Sequence, residues 1–195
     1  GSLAMNNAKR ESDLDLMIVT SKRTLWTTRL LVRIISYLNG VTIRRVGSNK
    51  SRNAVCFNLW MDEEHLEIPR KMRNLYTAHE VLQVMPLINR GYTFENFLEV
   101  NKWALEFWPN AKGDTRYVIR DKKNYHISHF LSLIVLFFEP VAYRLQRLYM
   151  GKRITRELIQ PGRAFFHPID WGKIILNLFT KKLVPLDKTR IPGIK

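Results

Sequence analysis

The sequence predicts an α/β fold of the α+β kind: a small mixed sheet with a flanking helix, followed by a mostly helical C-terminal region. Three observations predict it. The stretch "DLDLMIVT" (13–20) alternates charged and apolar residues and then becomes wholly apolar, as a strand does when its first part edges a cleft and its remainder is buried. The stretch "AVCFNLWMDEE" (54–64) is a second β-favouring run, with Val55, Phe57 and Trp60. After Pro69 the apolar residues recur at helical spacing instead. The boundary expected from this shift lies near residue 70, giving a core over 1–70 and a helical region over 71–195.

In chain order, the first strand is predicted over about Leu14 to Val19. A helix follows, with Ser21 or Thr24 as N-cap, Leu25, Leu31, Ile35 and Leu38 on an apolar side, and Gly40 as its stop. "VTIRRVGSNKSRN" reads as a short β segment and a basic loop containing Arg44, Arg45, Lys50 and Arg52. The second strand runs from about Ala54 to Met61. Two helical stretches end at Gly91 and Pro109, and their aromatic residues Phe97, Trp103, Phe107 and Trp108 are expected in the core. A polar connector leads to a long apolar helix that contains Pro140, and a last helix is expected over Asp170 to Lys182. "AFFHP" reads as a packed turn.

The chain has 195 residues, 46% of them apolar, and a net charge of +15. Such a charge favours polyanionic partners: nucleic acid, nucleotide phosphates or an anionic membrane surface. Cys56 is the single cysteine, which excludes an internal disulfide or a cysteine-rich zinc site and suits a reducing, cytoplasmic compartment. The apolar run Phe130–Phe138 is far shorter than the roughly 20 residues that span a bilayer, so a buried helix is expected, with a peripheral membrane contact through its basic flanks as the alternative. His126 and His129 share a helical spacing without a third ligand nearby, and "HEVLQ" lacks the second histidine of a zinc-protease helix. No P-loop, dinucleotide fingerprint or serine-nucleophile motif is present.

The two aspartates heading the first strand carry the chemistry. Alternation places Asp13 and Asp15 on one face, about 7 Å apart along the chain. Carboxylates so placed repel unless a cation lies between them, and Mg²⁺ commonly joins one or two carboxylates to substrate phosphates. Gly1-Ser2, a ten-residue spacer and Asp13-Leu14-Asp15-Leu16 together resemble the signature of the DNA polymerase beta-type nucleotidyltransferase superfamily. The phrases "RNLYTAHEVLQVMPLINRGY" and "AFFHPID" are similar to helical extensions of uncharacterised bacterial nucleotidyltransferase-domain proteins.

The resemblance implies transfer of a nucleoside monophosphate from a nucleoside triphosphate such as ATP to an unidentified acceptor. It implies Asp13 and Asp15 as Mg²⁺ ligands, in a site able to take two ions, with Gly1 and Ser2 at the phosphates. Lys9 and Arg10, between the glycine turn and the aspartates, are the expected further phosphate contacts. The family's helix before the Gly-Ser pair has no counterpart here, and Gly1-Ser2 is read as a native start truncated of it. A third acid is expected from the second strand, where alternation puts Cys56, Asn58, Trp60 and Asp62 on one face. Asn58 stands at the expected position and offers a neutral oxygen; Asp62 at the strand end is the alternative, ahead of Glu63 and Glu64. With Asn58 in the site, a degenerate module that binds nucleotide or RNA without catalysis is the rival reading. Tyr76, His79 and Glu80 begin the helix that follows the strands, where members of the family contact nucleotide or acceptor.

Overall fold

The computed structural model describes residues 2–44, 54–111, 119–120, 129–151, 154–166 and 170–188. Strand β1 (Leu14–Thr20) is joined through helix α1 (Leu25–Leu38) to strand β2 (Val55–Asp62), which lies parallel to it. Gly40, with φ of +67°, takes the left-handed conformation that ends the α1 region, as a glycine there permits. A 3-10 turn (Arg70–Met72) leads to α2 (Leu75–Leu82). The N-terminus of α2 is closed by a capping box, Thr77 N–H donating to Asn74 and Asn74 N–H donating to the Thr77 hydroxyl. There follow β3 (Ile88–Asn89), α3 (Thr93–Val100), a second 3-10 turn (Lys102–Glu106) and β4 (Ile119–Arg120), which pairs with β3. Helix α4 (His129–Gly151) continues through Pro140; of the run expected to be buried, Leu136, Phe137 and Phe138 are instead exposed. Then come β5 (Leu158–Gln160), β6 (Arg163–Phe165) and α5 (Trp171–Lys188).

The main sheet has the order β1-β2-β6-β5, with β6 antiparallel to both neighbours. It therefore takes strands from both sides of residue 70, and the region expected to be mostly helical supplies half of them. "AFFHP" begins as part of β6, with Ala164 and Phe165 buried, and not as a turn; His167 and Pro168 lie outside the described residues. The β5–β6 turn passes so close to His65 that a Cβ on Gly162 would lie 2.1 Å from its ring, a space only glycine leaves.

One sheet face, with Ile18, Trp60 and Ala164, packs on Leu25 and Trp26 of α1 and Ala142 of α4. The other, with Met17, Val19, Leu59, Met61 and Phe165, packs on Ala78 and Val81 of α2, Phe97 of α3, Trp103 and Ala104. The second layer closes around Asn101, which is 1% exposed: its amide oxygen accepts from Ile68 N–H and its amide nitrogen donates to the carbonyls of Leu66 and Phe97. Phe97 and Trp103 are core residues as expected, but Phe107 and Trp108 are 42% and 39% exposed, because the 3-10 turn rotates them off the face that α3 buries.

Two polar side chains of α4 hold α1. Glu139, 8% exposed, accepts from the N–H groups of Trp26 (2.6 Å) and Thr27 (2.8 Å), two of the donors that a helix start leaves unpaired. Gln146 donates to the Trp26 carbonyl and accepts from Arg29, which is buried over the Phe166 ring at 4.5 Å. No helix among the described residues is long and apolar enough to cross a membrane.

Candidate functional site

The site forms where β1 and β2 begin side by side. Leu14 N–H donates to the Ala54 carbonyl, and Asp15 lies opposite Cys56. On the other edge of β2, Val55 pairs with residues 42–44 through Val55 N–H to the Thr42 carbonyl and Arg44 N–H to the Val55 carbonyl. This short ladder delivers the Arg44 guanidinium to Asp13, with which it forms an ion pair.

A β-bulge shapes the site. Leu16 is opposite Phe57 but Met17 is opposite Leu59, so Asn58 is an extra residue in β2. The expectation that Cys56, Asn58, Trp60 and Asp62 share one face is corrected here. Asn58 stays with the acids and donates from its amide to Asp15 at 2.9 Å, while Trp60 turns to the opposite layer beside Phe57. The extra residue shifts the phase of alternation, so that Leu59 and Met61 bury below the same face.

Carboxylate oxygens of Asp13 and Asp15 and the Cys56 sulfur lie within 4.8 Å of one another, the one such cluster among the described residues. Burial, reinforced by the charges of Asp15 and Asp13, pushes the Cys56 thiol up to about 11, so it stays protonated at neutral pH. Its hydrogen bond to Asp13 holds Arg44 above its ordinary value. Tyr76, half-buried on α2, is pushed up to about 12, first by burial and then by the charges of Glu80 and Asp15. The phenol thus stays neutral within the field of the acid pair.

Asp62 does not belong to this site. It lies opposite Thr20, five residues along β1 from Asp15, or about 16 Å at the rise of a strand. Its carboxylate is 1% exposed and locally occupied, accepting from Arg23 N–H and Glu64 N–H and bonding the His65 ring at 2.5 Å. The nearby Glu63 and Glu64 serve Lys22, Glu63 through the backbone N–H and Glu64 through the ammonium.

Lys9 and Arg10 are exposed in a turn closed by Lys9 N–H donating to the Ser12 hydroxyl, directly before Asp13. Ser2 is half-buried, its carbonyl accepting from Asn7 N–H. The turn that Ser2 opens places Ala4 and Met5 against His79, Gln83 and Trp108, around a cavity of about 460 Å³. Gly1, Arg45, Lys50, Arg52 and His126 lie outside the described residues, and of His129 the structure describes the backbone.

Two carboxylates on alternate residues at the head of β1 fit one hard divalent cation, with the remaining positions left to water and substrate. The third group is a protonated thiol, a poor ligand for Mg²⁺, and the fourth is an amide. The donor set thus fits a single Mg²⁺ better than the pair that the resemblance implies. Sequence reasoning missed Cys56 as a neighbour of the acids and Arg44 as the partner of Asp13. The even spacing of Cys56 from Asn58 was the signal for the first; the second depends on the 42–44 ladder and had none. No family model matches this chain, and neither does any curated protein or solved structure.

Proposed function

We propose that the chain is a metal-dependent nucleotidyltransferase of a reducing, cytoplasmic compartment, acting at the start of β1 and β2. The observation that supports this reading is the convergence of Asp13 and Asp15, at a spacing of one residue, on a partly open face of paired parallel strands. An acceptor hydroxyl oxygen would bond to the α-phosphorus of a nucleoside triphosphate as the bond to the bridging oxygen breaks. Pyrophosphate would leave, and the hydroxyl proton would pass to water, since Asn58 provides no carboxylate base. A divalent cation held by Asp13 and Asp15 would neutralise phosphate charge in that transition state. Arg44 and Asn58 orient the two carboxylates, Lys9 and Arg10 lie where they can meet the phosphate tail, and Tyr76 bounds the acceptor side as a neutral hydroxyl.

A second reading, nucleotide or RNA binding without turnover, is favoured by one specific arrangement. The Arg44 guanidinium already neutralises Asp13, and Asn58 stands where the third acid would. Magnesium-dependent transfer from labelled nucleoside triphosphates to hydroxyl acceptors, lost in Asp13→Asn, is the result expected of the enzyme. Nucleotide binding of equal affinity in wild type and Asp13→Asn/Asp15→Asn, without transfer, would establish the second reading.

A further inference from the structure

Helix α5 presents an apolar side that no other element of the described structure covers. At 100° per residue, Trp171, Ile174, Ile175, Leu178 and Phe179 fall on one side, each between 41% and 55% exposed. Lys173, Asn177 and Thr180 fall on the other, Lys181 stands at the boundary beside Ile174, and all four are exposed. The helix is fixed only at its start. Asp170 accepts from Lys173 N–H at 2.9 Å and pairs with Arg156 at 2.6 Å, and buried Gly172 rests against Tyr76 and Asn74 of α2. From Lys173 to Lys182 the side chains on both sides are exposed, Leu176 partly so.

We infer that α5 docks this side into the surface of an anionic lipid bilayer, lying in the plane of the headgroups. Two observations select that occupant. A tryptophan and a phenylalanine accompany branched aliphatic residues on the apolar side, with Lys173 opposite and Lys181 at the boundary, the composition of an interfacial helix. Residues 171–195 carry six lysines and arginines against one aspartate, a charge that complements acidic headgroups and opposes pairing with a second copy of itself. Lys182, beside Leu178 on the apolar side, extends its ammonium to the headgroups along its methylene stem. An RNA partner would use the lysines but leave Trp171, Leu178 and Phe179 without a role.

Co-sedimentation of the full chain with phosphatidylcholine vesicles, with and without about one third phosphatidylserine, tests the inference. Partitioning is expected on the anionic vesicles, falling steeply toward about 0.5 M salt as screening removes the attraction. Lys173→Gln/Lys181→Gln should weaken it by about fivefold per lysine. Leu178→Ser/Phe179→Ser should weaken it by about tenfold or more, with far-UV circular dichroism unchanged because both residues are surface positions. Failure of the wild-type chain to sediment with anionic vesicles at low salt would overturn the inference. So would undiminished partitioning of the Leu178→Ser/Phe179→Ser variant, or RNA binding by that variant equal to wild type in the absence of vesicle binding. Self-association lost in the same variant, without vesicle binding, would replace the bilayer by a second copy.

Discussion

Two acidic interruptions of apolar sequence meet opposite fates in this molecule. Glu139 breaks the run "LIVLFFEPV" and is buried, its two oxygens spent on the N–H groups that begin α1. Asp13 and Asp15 break into the start of β1, Asp15 exposed and Asp13 with 13% of its side chain open to solvent, with side-chain partners, Arg44 and Asn58, on neighbouring segments. The first is structural because backbone donors in a dry seam demand it. The second is available for chemistry because the backbone there is already paired along the sheet. An acid in an apolar run is therefore read by what it satisfies, not by its being there.

The largest expected effect breaks the structural side of this contrast. Glu139→Ala should orphan two buried N–H groups and lower unfolding free energy by about 2–4 kcal/mol in urea titrations. Asp13→Asn should instead cost no more than about 1 kcal/mol, since the pair is partly open to solvent and the amide oxygen still accepts from Arg44, and should abolish the nucleotide transfer proposed above. A variant pair with these effects exchanged would refute the division.

Asn58→Asp sharpens the chemical side. A carboxylate in place of an amide that donates to Asp15 creates repulsion, expected to cost about 1 kcal/mol without divalent cation and to be restored by millimolar Mg²⁺ through linkage. Thermal melts with and without Mg²⁺ measure both arms. Arg44→Gln should have a smaller effect, below about 1 kcal/mol on stability, and should tighten divalent binding several-fold by removing the competing cation. Isothermal titration with Mn²⁺ reads that change.

The smallest expected effect concerns Asp170. The N–H of Lys173, with Arg156 adding to it, holds its carboxyl below the ordinary carboxylate value. A carboxyl lowered in the folded state contributes its stabilisation above the ordinary value and loses it as pH falls through the lowered one. The start of α5 should therefore fray at acid pH before the rest of the molecule, an order that amide exchange at Lys173 and Ile174 would record.

Much of the front of the molecule was legible because its signals are local. Helix α1 declares itself by spacing and by Gly40, although of its expected apolar side Leu31, Ile35 and Leu38 are exposed and the helix buries Leu25, Trp26, Arg29 and Ser36; β1 and β2 declare themselves by β-branched and aromatic runs. The β5–β6 hairpin was not, since two three-residue strands are too short for periodicity to register; the Pro161-Gly162 pair between them was the one local sign. At the site, the common face of Asp13 and Asp15 was legible from alternation, whereas the separation of Asn58 from Trp60 was not. The bulge responds to which layer can receive a tryptophan, and that layer is made by α1 and α4, remote in sequence. Phe107 and Trp108 were misplaced for a related reason: helical spacing fails where the chain tightens into a 3-10 turn.

The supernumerary residue in β2 has a wider consequence. It works as a phase shifter between two stretches of one strand, letting Cys56 and Asn58 answer to solvent and ligand while Trp60 and Met61 answer to the interior. Drift among the upstream positions is thereby insulated from the packing downstream. Strict alternation with all eight residues kept would do the reverse, putting the indole on the face of the acids or the amide in the layer made by α1 and α4, whereas deleting Asn58 would leave Trp60 opposite Ile18 on its present face.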